Sequence, residues 1–306
     1  MDPLIVVFGL AVGVLVGLTG IGGGSLMTPL LILVFGVKPI TAIGTDLAYA
    51  AVTKTVGGWK HLRQRTVDVG LSTWMAFGSV PAAIGGVYVL EALQRAHGDE
   101  FDDLLLSILA GALLFVGVAT LVRALFLKRL HDLERDSVDM GRREKVAAIL
   151  VGLFVGFMLG VTSAGSGALI AVALILIFRL VPTRVVGTDV FHAAILLWAA
   201  AAAHIVAGNV DYALAGNILL GSVPGVWLGS HASVRIPTAT LRTTLGVVLI
   251  GAGLGLASKA GAPIPAPAIA AVPLGLGAYL GGQALRRRFR GQPPPSHVTA
   301  PAAPKS

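Results

Sequence analysis

The sequence predicts an all-α polytopic membrane protein made of two inverted-topology repeats, with about 8–11 transmembrane or re-entrant helices. Three observations carry this prediction. The first is a duplication: Gly17–Gly86 aligns without a gap on Gly160–Gly229, 143 positions later. The matches include costly residues: Gly44-Thr45-Asp46 on Gly187-Thr188-Asp189, Pro39 on Pro182, His61 on His204, Asp68 on Asp211, and Gly78-Ser79-Val80-Pro81 on Gly221-Ser222-Val223-Pro224. The second is composition. With 55% hydrophobic and 12% charged residues, the chain carries about half the charge of a soluble domain. Its long apolar stretches are too many for a single anchor. The third is the placement of the bases in loops and tail, which fits the membrane orientation rule and not nucleic-acid binding. A duplicated, strongly apolar chain of this kind points to a membrane transporter.

The elements follow from the apolar runs and their Gly and Pro interruptions. The first repeat, 1–127, is expected to hold helices near 4–20, 25–37, 41–59, 69–90 and 103–127. A charged cytoplasmic linker follows at 128–145. The second repeat, 146–257, holds helices near 146–163, 167–180, 184–207, 213–234 and 239–257. An additional helix lies in 258–290, and the Pro- and Ala-rich 291–306 reads as a disordered tail. The Met-Asp-Pro start lacks a basic n-region and a cleavage site, so the first apolar run reads as a helix and not a signal peptide. Segments 25–37 and 167–180 are too short to span, at roughly 20 Å against roughly 30 Å of hydrocarbon. Each follows a glycine cluster, at Gly20–Gly24 and Gly165–Gly167. Whether 4–37 spans twice or forms a re-entrant hairpin stays open.

Loop charge sets the orientation. Lys60, Arg63 and Arg65, the linker bases and Arg286–Arg288 with Arg290 belong inside; the acidic 91–103 and the base-free 208–212 belong outside. Loops 60–68 and 208–212 are equivalent in the two copies and yet fall on opposite sides, so the repeats are expected to be inverted.

Four groups of residues can carry chemistry. Short interrupted segments at matching places in two halves point to a transporter's binding site. Gly20, Gly22, Gly23 and Gly24 in the first copy, and Gly165, Ser166 and Gly167 in the second, let the backbone turn and approach a ligand. The helix after each presents its N-terminal amides to an anion. Ser25, Ser163 and Ser166 add hydroxyl donors. Asp46 and Asp189, with Thr45 and Thr188 beside them, lie about two turns inside helices that begin near Pro39 and Pro182. A carboxylate there costs roughly 2.5–3.5 kcal/mol on insertion scales and is a functional candidate, with a helix N-cap as the plainer alternative. His192 follows Asp189 by three residues on the same face and is expected to share a proton with it. Tyr49 takes that place in the first copy. Lys54 either pairs with Asp46 or, as the preferred reading, snorkels to the surface. His61 and His204 are read as interfacial helix-end residues.

The glycine-rich GLTGIGGG…PLL run, the AIGTDL and GGWKHLRQRTVD segments after it, and their repetition in the second half resemble the sulfite exporter TauE/SafE family of membrane transporters. The resemblance covers about 5–257. It implies movement of sulfite, a sulfonate or a related small anion, driven by an ion gradient, and it points to Gly20, Gly22, Gly23, Gly24, Pro29, Gly44, Thr45, Gly165, Gly167, Gly187 and Thr188. The family often has Ser or Asn where both copies here have Asp, which points to proton coupling through Asp46, Asp189 and His192 or to a substrate that is not a simple sulfonate.

The expectation is therefore a multi-pass protein of the bacterial inner (cytoplasmic) membrane. It would be a secondary transporter of a small anionic substrate with H+ as coupling ion, in a lipid bilayer, and a homodimer is compatible with the sequence. No enzyme is expected, because no zinc-binding His pair, cysteine or supported Ser-His-Asp set is present. No cofactor is expected either: GIGGG lies outside any βαβ pattern. A passive anion channel, or a divalent-cation transporter using Asp46, Asp189 and His192, are the alternatives.

Overall fold

The computed structural model describes residues 3–19, 24–126, 135–233 and 238–289. The described residues form eleven α-helices and no β-sheet: α1 (Pro3–Thr19), α2 (Gly24–Val34), α3 (Pro39–Arg63), α4 (Val69–His97), α5 (Phe101–Phe126), α6 (Arg142–Thr162), α7 (Leu169–Leu176), α8 (Pro182–Val206), α9 (Tyr212–Ser233), α10 (Thr238–Lys259) and α11 (Ala266–Phe289). Five stretches are long and apolar enough to cross a membrane: 69–124, which contains α4 and α5, then 142–162, 182–206, 212–229 and 240–259. Phe77, Leu150, Phe154 and Trp227 project from these helices as exposed apolar side chains, as lipid-facing residues do. The chain is an all-α polytopic membrane protein.

The helices start and stop for local reasons. Pro39 and Pro182 open α3 and α8, where a missing N–H costs nothing. Asp68 caps α4 by accepting from the Leu71 amide at 3.0 Å, and Asp211 does the same for α9 through Leu214 at 2.9 Å. The short α2 ends with the Ile32 carbonyl accepting from Lys259 Nζ at 2.9 Å.

The two halves are interleaved. α1 packs mainly on α9 and α6 mainly on α4, while α3 packs on α8 and α5 on α10. Glycine makes the first two pairings possible. A Cβ at Gly152, Gly156 or Gly160 of α6 would overlap the carbonyls of Met75, Ser79 and Ala83 on α4. One at Gly9 or Gly13 of α1 would overlap those of Ile218 and Ser222 on α9 in the same register. Residue numbers rise together along both pairs, so each runs parallel. The α3–α8 pair runs antiparallel, with Gly57 against Val190 and Gly44 against Asn209. α5–α10 is antiparallel too, with Gly117 against Ile250 and Gly253 against Leu114. Thr55 and Trp198 occupy equivalent positions in the two copies, and the Trp198 indole donates to the Thr55 hydroxyl at 2.8 Å.

Two expectations need adjustment. The second short helix is shorter than 167–180, since 163–168 is a loop and α7 holds 8 residues. The linker expected at 128–145 is partly helical, because α6 begins at Arg142. Residues 135–141 are docked: the Arg135 amide donates to the Arg179 carbonyl at 2.7 Å, and the Val138 amide donates to Asp68 Oδ2 at 3.0 Å. Gly20, Gly22 and Gly23 and the tail 291–306 lie outside the described residues.

Candidate functional site

Each Gly-Thr-Asp triplet closes one contact across the repeats and presents one carboxyl. Gly44 brings α3 against the Asn209 carbonyl, and Gly187 brings α8 against the Thr66 carbonyl; a Cβ on either would overlap it. Thr45 Oγ1 accepts from the Asp211 amide at 3.0 Å, and Thr188 Oγ1 accepts from the Asp68 amide at 2.9 Å. The threonine hydroxyls predicted to bind substrate thus anchor the helix start of the other repeat. The third residues, Asp46 and Asp189, turn inward and are buried, about two turns into their helices as expected, so neither is an N-cap. With α3 and α8 antiparallel and Gly57 level with Val190, the two carboxyls stand about 17 Å apart along the helix axes.

Their surroundings differ. Asp46 Oδ2 accepts from Thr28 Oγ1 of α2 at 2.7 Å and from Ser163 Oγ at 2.9 Å, and the two hydroxyls lie 2.6 Å apart. Thr28 belongs to the first copy and Ser163 to the second, so one carboxyl oxygen ties the halves together. Oδ1 of Asp46 has no hydrogen-bond partner. Asp189 has no such hydroxyl pair: Ala171 stands where Thr28 stands in the first copy, and Gly20 stands opposite Ser163. Lys54 of α3, Arg123 of α5 and Arg242 of α10 are instead the charged groups within electrostatic reach of Asp189.

The second glycine break lies between these environments. Ser163 ends α6 in the left-handed conformation at φ 58°, and Gly165 follows at φ 102°, where a side chain would be strained. The Gly165 amide donates to Ser25 Oγ at 3.3 Å, and the Gly167 carbonyl accepts from Arg123 Nη1 at 3.3 Å. Ser25, Ser163, Ser166 and Gly167 are all buried. The break therefore touches the Asp46 hydroxyl cluster at its start and the Arg123 guanidinium at its end.

Two predicted placements are not found. His192 does not bond Asp189: its ring nitrogens face Ser72 Oγ at 3.4 Å and Ser79 Oγ at 3.2 Å, both on α4. Lys54 does not snorkel; it is 8% exposed, and its Nζ has no hydrogen-bond partner. His204 lies in the last turn of α8 and is buried, with Nε2 3.1 Å from the Gly160 carbonyl. His61, which is partly buried, keeps its helix-end place, 3.0 Å from Thr66 Oγ1. Among the described residues no group of three or more His, Cys, Asp or Glu could hold a metal ion.

Comparison alone could not reveal Thr28, Arg123 and Arg242. Thr28 has no hydroxyl counterpart in the second copy. Arg123 did carry a signal, since a guanidinium inside an apolar run marks a functional candidate.

The sulfite exporter TauE/SafE family matches residues 5–256. A probable membrane transporter of Bacillus subtilis, YjnA, is 40% identical over 256 residues, covering 84% of this chain and 100% of its own length. A second B. subtilis probable membrane transporter, YdhB, is 26% identical over 253 residues, covering 82% of this chain and 98% of its own. No solved structure matches. These similarities and the spanning helices identify a multi-pass transporter of the inner membrane, and the chain belongs to the sulfite exporter TauE/SafE family.

Proposed function

We propose that this transporter moves a small anion, sulfite or a sulfonate or a related organic anion, by proton-coupled alternating access of two inverted repeats. The observation that carries the reading is the Asp46 carboxyl, fully buried and shared between Thr28 of one repeat and Ser163 of the other. Intramembrane carboxyls serve as proton relays. One that bridges the two moving halves couples its protonation to their relative position. Inversion is supported by the antiparallel packing of equivalent helices, α3 on α8 and α5 on α10. A two-fold axis lying in the membrane plane produces that arrangement. The anion is held at the 163–168 break between the carboxyls, with Asp46 and Asp189 as proton carriers. Arg123, Arg242 and Lys54 near Asp189 favour an anion over a divalent cation there.

The test is uptake of radiolabelled sulfite into proteoliposomes under an imposed pH gradient. Uphill accumulation is expected for the native protein and is lost when Asp46 and Asp189 are both replaced by Asn. Downhill flux alone would indicate a channel. Unchanged accumulation in the double variant would remove the coupling role.

A further inference from the structure

α3 passes α8 at Gly57 and Val190, and α5 passes α10 at Leu121 and Gly246, which sets Lys54, Arg123 and Arg242 within electrostatic reach of Asp189. Lys54 and Arg123 are 8% and 7% exposed and Asp189 is 5% exposed. Arg242 is half-buried. Lys54 Nζ, the Nε atoms of Arg123 and Arg242, and Asp189 Oδ1 are buried without a hydrogen-bond partner. Arg123 and Arg242 are close enough to repel each other, and Asp189 is the acid within reach of both. With one carboxylate against three cations, this region of the bundle carries two positive charges in excess. A buried charge is costly unless paired, and a guanidinium with unused N–H groups fits the oxygens of an oxyanion. Arg123 already holds the end of the glycine break through the Gly167 carbonyl, so a ligand bonded to its Nε would lie against that loop.

We propose that Lys54, Arg123 and Arg242 form a side-chain site for a small oxyanion beside the Gly165–Gly167 loop, with Asp189 as its built-in counter-ion. The proposal rests on the anion-transport reading above and replaces a site of backbone amides and serine hydroxyls with one that carries fixed charge. It also gives the two aspartates different tasks: Asp46 links the halves, whereas Asp189 competes with the substrate for the same cations. The excess charge selects a doubly charged oxyanion over chloride.

The experiment measures binding of sodium sulfite and sodium chloride to the purified full-length protein by isothermal titration calorimetry in detergent. Sulfite is expected to bind and chloride not to. Lys54→Met and Arg123→Gln should each weaken sulfite binding about thirtyfold or more. Lys54→Met breaks no hydrogen bond, so its loss of binding is not that of a broken hydrogen bond. Arg123→Lys should recover part of the loss, which separates charge from folding. Asp189→Asn should tighten binding by removing the competitor. Unchanged binding in the Lys54 and Arg123 variants, with the native protein binding normally, overturns the site while leaving anion transport standing. Weakened binding in Asp189→Asn overturns the counter-ion role. No binding of sulfite by the native protein overturns the site, while the anion reading stands or falls with the proteoliposome uptake described above.

Discussion

Thr28 and Ser163 share one oxygen of a carboxyl that has no cation beside it, so these two hydroxyls carry the polar satisfaction of Asp46. Removing one leaves a buried acceptor short of a donor, at a cost of about 1–3 kcal/mol. Thr28→Val and Ser163→Ala should each lower the unfolding temperature in detergent. The double variant should fall short of the sum of the two, since both act on the same atom. At this scale the sequence marks costly polar residues better than it shows what they touch. Asp46 and Asp189 stood out because matched carboxyls in apolar helices are costly. Lys54 reads as a snorkelling base, with Asp46 as its alternative partner, and only the antiparallel α8 brings Asp189 within its electrostatic reach. His192 turned to Ser72 and Ser79 because α4 crosses there, and that crossing is a tertiary fact.

Helix pairing through glycine gives the sharpest tests at the level of elements. Gly156 lies on the backbone of Ser79, whereas Gly85 of α4 has open space around it. Gly156→Val should therefore separate α6 from α4 and abolish folded yield, while Gly85→Ala should leave it intact; size-exclusion chromatography of detergent extracts reads both. A second test concerns the contact that docks the linker on the start of α8. Arg184 grips Asp136 with Nη2–Oδ2 at 2.9 Å and Nε–Oδ1 at 3.3 Å, and it also donates to the carbonyls of Arg65 and Val67. This hydrogen-bonded pair holds the Asp136 carboxyl below the usual carboxylate range. A depressed value in the folded state means that the stabilisation is present above the unfolded-state pKa and fades as pH falls through the folded one. Asp136→Asn should lower the melting temperature slightly at neutral pH. The difference should shrink with added salt and vanish in strong acid. The helices themselves were legible: Pro39, Pro182, Asp68 and Asp211 mark starts that the structure keeps. The extent of α7 was not, because Ser163 and Gly165 adopt left-handed angles that extend the break past the glycine string.

Orientation belongs to the molecule as a whole. The chain has no cysteine, so single cysteines can be introduced directly. With Gln64→Cys and Tyr212→Cys, an impermeant maleimide should label Tyr212→Cys in intact cells and Gln64→Cys only after permeabilisation. Labelling of both from one side would exclude inversion. The proposed two-fold relation carries a further consequence for the Thr55–Trp198 hydrogen bond. When inverted repeats exchange conformations, every contact trades places with its mate, but a contact between equivalent positions maps onto itself. This bond is then a fulcrum, kept in both end states. The Thr28–Asp46–Ser163 knot has no such mate, because Ala171 and Gly20 offer Asp189 no hydroxyl. On the proposed mechanism the exchange therefore swaps unequal halves, and the resting molecule would lean towards one side of the membrane before any gradient acts on it.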